Sequence, residues 1–234
     1  MFFNFKSGCN TYDFMDENTI RLILFRLEAM YGTAEWHPHL PPLDELTACI
    51  LSQHTSDANS LRAFSRLKER YADWEGVIAA PAAELADTIR CGGLADSKAP
   101  RIQNALRVIK EREGSLSLDC LNNMNNDEAR EYLMSLPGVG PKTAAIVLCF
   151  SLNRAVIPVD THIFRVSWRL GLVEKKNGEA KAHITLQKLI PLDIIYRFHV
   201  ALIRHGREVC RARNPRCLEC PVSHICCYYR EQVT

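Results

Sequence analysis

The sequence predicts an all-α protein, and three observations support that fold class. Apolar residues recur with helical spacing, as at Ile20, Ile23, Leu24 and Leu27, which follow the i, i+3, i+4, i+7 pattern of one helix face. Glycines and prolines interrupt the chain between such stretches, where they break helices and form turns. No segment alternates polar and apolar residues over the length of a strand, so we expect no β-sheet.

Three further stretches share this helical periodicity. Each places its apolar residues on one face: Leu46, Cys49 and Ile50; Ile102, Ala105, Leu106 and Ile109; and Ile194, Phe198, Ala201 and Leu202. We therefore expect amphipathic helices that pack these faces into a core. The longest apolar run, residues 144–150, is too short to span a bilayer, so no membrane partner is expected.

Length and composition place few limits on function. The 234 residues suffice for one large domain or two small ones, and 47% hydrophobic with 24% charged residues is ordinary for a globular protein. The net charge of +2 neither favours nor excludes nucleic acid, because positive charge can be local. The first phenylalanines are separated by Asn4 and Lys6, which argues against a signal peptide, so we expect a cytoplasmic protein.

The stretch Leu136–Ala144, which reads Leu-Pro-Gly-Val-Gly-Pro-Lys-Thr-Ala, is the first to indicate a function. We expect a helix from about residue 127 to end at Pro137 and Gly138, and a second helix to begin at Pro141. Gly138 and Gly140 should permit backbone conformations that other residues avoid, and they leave room for a close approach. Backbone N–H groups at the turn and the second helix could then face a phosphate.

An ordinary helix–helix turn is the alternative for a Gly-x-Gly pair alone. The whole nonamer, however, looks like the helix-hairpin-helix motif of DNA repair proteins. Contacts of this kind position DNA without reading its sequence. The predicted DNA-contacting residues of the motif are Leu136, Gly138, Val139, Gly140 and Thr143.

Two polar residues near this motif could carry out chemistry. Lys142 stands at the start of the second helix, where it could be a nucleophile, although a solvated side chain or a phosphate contact are the simpler interpretations. Asp160 precedes another helical stretch, so it could be a plain N-cap. A carboxylate also suits a base or a partner for positive charge that develops on a sugar.

The cysteines fall into two groups. Five of the ten are scattered and are interpreted as single thiols: Cys9, Cys49, Cys91, Cys120 and Cys149. The others crowd near the C-terminus, where Cys210, Cys217, Cys220 and Cys226 have the spacing C-x6-C-x2-C-x5-C. One tight pair with two single cysteines fits an iron–sulfur cluster better than zinc, which usually takes two tight pairs. Spacing favours Cys226 as the fourth ligand but leaves its neighbour Cys227 as an alternative.

Three arginines lie between the first two cysteines of that group, at positions 211, 213 and 216. They could be solvated side chains. A short loop that is held by two cluster ligands would, however, present Arg211, Arg213 and Arg216 rigidly, as phosphate binding requires.

Together these segments resemble the endonuclease III family of DNA glycosylases. The similarity also includes Leu51-Ser52 with Asp57, Gly93-Leu94 with Ser97-Lys98-Ala99, Val159–Val166, and His205-Gly206-Arg207 before Cys210. It therefore extends from about residue 20 to the last cysteines. The resemblance implies that Lys142 is the nucleophile, that Asp160 is its catalytic partner, and that the four cysteines hold a [4Fe–4S] cluster.

The resemblance also implies a domain organisation. Residues 43–153 would form a six-helix lobe that contains the helix-hairpin-helix at about 127–152. Residues 1–42 with 154–234 would form a discontinuous lobe that carries the cluster loop, 210–226, with a DNA groove between the lobes. The expected partner is double-stranded DNA with a damaged base or an abasic site, bound by a monomer that associates with the nucleoid.

One segment departs from the family pattern. Residues 51–57 cover the wedge loop, where a glutamine commonly fills the gap left by an extruded base. When the loop is aligned with the family on Leu51-Ser52 and Asp57, His54 stands at the position of that glutamine and Gln53 one residue before it. Either side chain can hydrogen-bond to an unpaired base. The departure puts strand recognition and lesion preference in doubt.

The implied function is that of a bifunctional DNA glycosylase and AP lyase acting on damaged pyrimidines. Lys142 would attack the sugar, displace the base, form a Schiff base and permit strand cleavage by β-elimination on the 3′ side. A glycosylase for mismatches or other lesions that keeps this lysine is an alternative. A non-catalytic helix-hairpin-helix module, in which Lys142 only contacts phosphate, is a second alternative.

Overall fold

The computed structural model describes residues 16–233, so Cys9 and the N-terminal phenylalanines lie outside the described residues. No β-strand occurs in the described part of the chain, and the all-α prediction is confirmed. Twelve α-helices, numbered α1 to α12 in chain order, make up most of it: Glu17–Tyr31, Pro42–Ser52, Asp57–Arg70, Trp74–Ala79, Ala82–Ile89, Ala95–Glu113, Asn126–Met134, Pro141–Ile146, Thr161–Leu170, Gly178–Leu189, Ile195–Glu208 and Cys227–Val233.

The described chain forms two compact units. The continuous unit is His37–Val156, and the discontinuous unit combines residues 16–36 with 157–233. The continuous unit contains the seven helices α2 to α8, one more than the resemblance implied, because the six-residue segment Trp74–Ala79 is itself helical. No helix among residues 16–233 is long and apolar enough to cross a membrane.

The core of the continuous unit is built from the predicted apolar faces. On α6, the longest helix, Ile102, Ala105, Leu106 and Ile109 are all at most 1% exposed. A buried amide adds a polar contact at one edge, since Gln103 donates from Nε2 to the carbonyl oxygens of residues 77 and 80, where α4 ends. Its hydrogen bonds offset the cost of burying the amide.

The discontinuous unit is organised around α1, α9 and α11. The predicted face of α1 is buried, and so are Ile194, Phe198, Ala201 and Leu202, although Ile194 lies in the 3₁₀ turn that precedes α11. An ion pair between Glu28 of α1 and Arg197 of α11, at 2.6 Å, joins the two helices at the edge of this core.

The last helix of the hairpin has an irregular end. Helix α8 continues directly into a π-helical turn, Val147–Ser151, whose first three residues are buried. Single π turns of this kind occur often near functional sites. Here the turn ends the apolar run that starts at Ala144.

Two glycines of the continuous unit provide a test of packing. A Cβ atom on Gly92 would lie 2.9 Å from the Cβ of Ala63, whereas a Cβ on Gly140 would meet nothing within 4 Å. Gly92→Ala should therefore lower the free energy of unfolding by about 1–3 kcal/mol through overpacking. The matched variant Gly140→Ala should change it by less than about 0.5 kcal/mol. Urea denaturation measures both, and equal stability of the two variants would refute the close packing at Gly92.

Candidate active site

The helix-hairpin-helix has the predicted order with a shorter first helix. Asn125 caps α7 through a capping box with Glu128, and the helix ends at Met134, three residues before Pro137. The turn is then closed by the amide of Val139, which donates to the carbonyl of Leu136 at 3.2 Å. Pro141 occupies the first turn of α8, as its missing N–H group favours.

The two glycines of this turn have different roles. Gly138 has a φ of +81°, which only glycine adopts readily, so its predicted conformational role is confirmed. Gly140 has φ −105° and ψ 178°, an extended conformation that any residue can adopt, so the conformational explanation is wrong for Gly140. What its missing side chain provides is open space, since a Cβ atom on this residue would have no neighbouring atom within 4 Å.

Three of the predicted DNA-contacting residues have buried side chains. Leu136, Val139 and Thr143 are 3%, 8% and 6% exposed, and the first two belong to the hydrophobic core of the continuous unit. Only the backbones of these residues can therefore face a ligand. The amides in the first turn of α8 suit that role, because the first N–H groups of a helix have no partner within it.

Lys142 is the second residue of α8 and is exposed to solvent. No salt bridge to Lys142 occurs among residues 16–233, so its amine is available to a ligand. Its charge acts on the Cys49 thiol of α2, whose pKa is raised far above the ordinary value, mainly by burial and also by Glu45, while Lys142 lowers it. Helix α8, which carries Lys142, packs against α2.

Asp160 is the N-cap of α9, as the simpler interpretation predicted. Its Oδ1 accepts a hydrogen bond from the amide of Ile163 at 2.7 Å, and the residue is 9% exposed. The cap orients the carboxylate and leaves its second oxygen available for other contacts. Asp160 belongs to the discontinuous unit and Lys142 to the continuous one.

The wedge loop, residues 53–56, connects α2 to α3. Gln53 is half-buried and donates from Nε2 to the carbonyl of Gly138 at 3.0 Å, so it links this loop to the hairpin turn. His54 is exposed and has a φ of +53°. A left-handed conformation costs a non-glycine residue about 1–2 kcal/mol, and such strain is concentrated at functional sites. These contacts favour His54 as the side chain that is free to fill a gap.

Leu94 is a residue whose possible role sequence reasoning missed. It is 58% exposed and has a φ of +52°, directly after Gly93 with a φ of +68°. Exposed apolar side chains of this kind can enter a DNA base stack. A leucine after two glycines and before a helix was the available signal, but its exposure and its backbone conformation depend on the tertiary structure.

The four predicted cluster ligands line one cavity of about 360 Å³ in the discontinuous unit, together with Arg169 and His205. Cys226 is part of this lining. The neighbouring Cys227 is not. Each of the two thiols also approaches a backbone carbonyl oxygen of α9, that of Arg169 at 3.2 Å for Cys226 and that of Leu170 at 3.5 Å for Cys227. The geometry therefore favours Cys226 as the fourth ligand.

The polar groups around this cavity suit thiolate ligands. Arg169 is 5% exposed and donates from Nη1 to the Cys210 sulfur at 3.3 Å. His205 lies with Nε2 3.5 Å from the Cys220 sulfur, and its Nδ1 is 2.9 Å from the Tyr31 hydroxyl. Burial raises the pKa of Cys220 and of Cys226 to about 11, so without a bound cluster these thiols keep their protons.

A cluster and a single ion place different demands on such ligands. Zinc binds its thiolates at about 2.3 Å, which brings them close together, whereas a [4Fe–4S] cluster binds each cysteine through a different iron. Among the residues that the structure describes, no three His, Cys, Asp or Glu side chains are arranged to hold one metal ion. The residues present fit the larger group.

The arginines of the cluster loop differ in their surroundings. Arg216 donates to the carbonyl of Glu208 at 2.9 Å and forms an ion pair with Glu219 at 3.0 Å. Arg211 donates to the same carbonyl at 3.1 Å, and Arg213 is exposed. The loop backbone itself is held by Arg169, which donates to the carbonyl of Arg211 at 2.8 Å.

Comparison with known protein families agrees with this arrangement. The model of the HhH-GPD superfamily of base excision DNA repair proteins matches residues 47–192, more than half of the chain. The model of the iron-sulfur binding domain of endonuclease III matches residues 210–226, which end at Cys226. This chain belongs to the endonuclease III family.

Individual relatives cover most of the chain. Endonuclease III of Thermotoga maritima is 34% identical over 196 residues, which are 84% of this chain and 87% of that protein. Endonuclease III of Escherichia coli K12 is 33% identical over 215 residues, 89% of this chain and 97% of that protein. A putative DNA glycosylase of Arabidopsis thaliana is 38% identical over 70% of this chain, which spans only 56% of that longer protein.

Two solved structures of endonuclease III with DNA have the same fold. A non-covalent complex has a TM-score of 0.79 at 33% identity, covering 93% of this chain and 98% of the other. A trapped covalent intermediate with an estranged adenine has a TM-score of 0.77 at 33% identity, covering 93% and 99%. This endonuclease III family member is a DNA glycosylase and lyase of base-excision repair that binds DNA and carries a [4Fe–4S] cluster.

The two neighbouring cysteines allow a matched test of the fourth ligand. Cys226→Ser should lower the iron and acid-labile sulfide content and bleach the brown colour of the purified protein, because it removes a thiolate that faces the cavity. Cys227→Ser should retain both, since Cys227 does not line the cavity. Iron analysis and the visible spectrum measure the effect, and the opposite result would assign the ligand to Cys227.

Proposed function

We propose that this enzyme is a bifunctional glycosylase for oxidised pyrimidines in which Lys142 is the nucleophile and Asp160 its catalytic partner. The observation that carries the proposal is the position of Lys142, an exposed amine in the first turn of α8, directly after the hairpin turn. A phosphate held at the turn would bring the adjoining sugar to that amine.

The lysine would act in two successive steps. The neutral amine attacks the C1′ carbon of the sugar, the bond from C1′ to the damaged base breaks, and the base leaves with the bonding electrons and takes up a proton. Opening of the sugar ring then gives a Schiff base: the amine loses a proton, the C1′–O4′ bond breaks, and O4′ takes up a proton. Removal of a C2′ proton from that species expels the 3′ phosphate by β-elimination, and water releases the lysine from the product.

Asp160 would support the first step through charge. Positive charge develops on the sugar as the base departs, and a fixed carboxylate stabilises it. The hydrogen bond from the Ile163 amide to Oδ1 fixes the carboxylate before DNA arrives, so no reorganisation is needed during the reaction. A carboxylate is also a suitable base for a proton that is released during the reaction.

Contacts with DNA would come from local groups, because the net charge is only +2. The open space at Gly140 would admit a phosphate against the backbone amides of the turn. Arg213 offers an exposed charge on the cluster loop, while Arg211 and Arg216 are already hydrogen-bonded and would add charge without moving freely. His54, with Gln53 behind it, would fill the gap left by the extruded base.

A DNA complex of a relative supports the lesion class that we propose. The trapped endonuclease III intermediate, which is 33% identical to this chain, contains an estranged adenine. Adenine pairs with thymine in undamaged DNA, which supports a thymine-like pyrimidine as the base that this enzyme removes. We therefore propose oxidised pyrimidines and abasic sites in chromosomal duplex DNA as substrates. Since no step of the reaction needs a second copy, we propose a monomeric enzyme.

Borohydride trapping tests the nucleophile. Wild-type enzyme with abasic-site DNA and borohydride should give a covalent adduct, and Lys142→Ala should give none while it still binds the duplex. Lys110→Ala is the matched control, because Lys110 is also exposed and pairs with Glu75 at 2.7 Å on the surface. An undiminished adduct with Lys142→Ala would exclude Lys142, and binding without any adduct in wild-type enzyme would favour a non-catalytic module.

Two substitutions separate the roles of Asp160. Asp160→Asn keeps an N-cap and removes the charge, so the thermal stability should hold while single-turnover base release falls by roughly 10²-fold or more. Asp160→Ala should in addition lose about 0.5–2 kcal/mol of stability. Rates near the wild-type value for Asp160→Asn would leave Asp160 as a cap alone.

A further inference from the structure

Lys98 is a buried cation that the proposed reaction does not use. It lies in the first turns of α6 and is only 2% exposed. No salt bridge to Lys98 occurs among residues 16–233, and burial lowers the pKa of its amine below the ordinary value. Burying a lysine without a carboxylate partner costs free energy unless hydrogen bonds satisfy its amine. The groups that accept these hydrogen bonds are therefore informative.

The Lys98 amine joins the ends of two other segments. Its Nζ donates to the carbonyl of Leu51 at 2.6 Å and to the carbonyl of Gly92 at 2.9 Å. Leu51 is the second-last residue of α2, and Gly92 is the last residue of the 3₁₀ turn Arg90–Gly92. The last carbonyl groups of a helix accept no hydrogen bond from within that helix. A positively charged donor is therefore favourable at this end.

Each of these carbonyls precedes an exposed side chain with a positive φ. His54 follows Leu51 by three residues, and Leu94 follows Gly92 by two. The two turns are neighbours, since a Cβ on Gly93 would lie 4.0 Å from the Thr55 hydroxyl. The backbone amide of Lys98 also donates to the carbonyl of Leu94 at 2.9 Å. One residue therefore contacts both turns from inside the core.

We propose that Lys98 is a positioning residue that fixes His54 and Leu94 relative to each other, so that both side chains enter the duplex together where a base is extruded. The proposal rests on the proposed function, because it requires the wedge loop to fill that gap. Lys98 itself is buried and does not touch DNA. Its effect arises because two side chains can occupy one gap only if their backbones keep a fixed separation, and displacements of about 1 Å can cost ~10²-fold in such sites.

The test uses Lys98→Met in the intact, cluster-containing protein. Methionine keeps a similar length and loses all donors. The ligands are an undamaged duplex and the same duplex with a tetrahydrofuran abasic analogue opposite 2-aminopurine. Affinity for the analogue duplex should fall by ~10-fold or more, and the 2-aminopurine fluorescence change on binding should be lost. Affinity for the undamaged duplex and its salt dependence should stay within about 2-fold, because phosphate contacts are unaltered.

A purely structural role for Lys98 predicts a different outcome. Ile102→Val, one turn further along α6, removes a buried methyl group, leaves the Lys98 amine in place and serves as the destabilised control. If Ile102→Val reduces lesion discrimination as much as Lys98→Met does, the positioning role is overturned. If Lys98→Met does not fold, Lys98→Arg replaces it, since the longer planar group displaces the carbonyls. Discrimination that is unchanged in a folded Lys98→Arg would also overturn the role.

The variants His54→Ala and Leu94→Ala separate this proposal from the proposed function. If both retain full lesion discrimination, the wedge assignment fails and the role of Lys98 fails with it. If they lose discrimination while Lys98→Met retains it, only the role of Lys98 is overturned. If the proposal is correct, Lys98→Met in a His54→Ala, Leu94→Ala background should cause no further loss, because coupled residues give non-additive effects.

Discussion

The burial of Leu136 and Val139 is the constraint on which the hairpin depends. Both side chains belong to the core of the continuous unit, so the turn between them cannot rotate without exposing apolar surface. Because these two side chains face the core, the other side of the hairpin turn faces solvent. That side contains Gly138, Gly140 and the start of α8. Lys142 therefore points away from the core because its apolar neighbours point into it, and the amine keeps this direction without a salt bridge to any residue in the range 16–233.

Helix α9 has a comparable role in the discontinuous unit. Its N-cap is Asp160, and the side chains of Arg165 and Arg169 extend from its later turns to the cluster loop, where they donate to the carbonyls of Cys210 and Arg211. One rigid helix thus connects the carboxylate to the loop that carries the cluster ligands. The loop that supplies cluster ligands and the helix that begins at Asp160 are therefore joined by direct hydrogen bonds.

Buried cations recur at both functional regions of the chain. Lys98 and Arg169 are 2% and 5% exposed, and each donates to backbone carbonyls at the end of another segment. Long side chains of this kind can join segments that are distant in sequence, and the carbonyls they bind would otherwise be unsatisfied. Hydrogen bonds from each cation to these carbonyls offset part of its desolvation cost.

The sequence alone determined the fold class, the helix faces, the hairpin with Pro141 at its second helix, and the spacing of the four cysteines. These features depend on residues near one another in the chain, where periodicity and turn chemistry act directly. The tertiary structure decided what depends on distant residues: that Thr143 faces the core, that Gln53 is bound to Gly138, and that Cys226 rather than Cys227 faces the cavity. It also decided the exposure of Leu94 and the contacts of the buried Lys98 amine with two carbonyl oxygens, because no local pattern records which carbonyl oxygens a folded chain leaves without a donor.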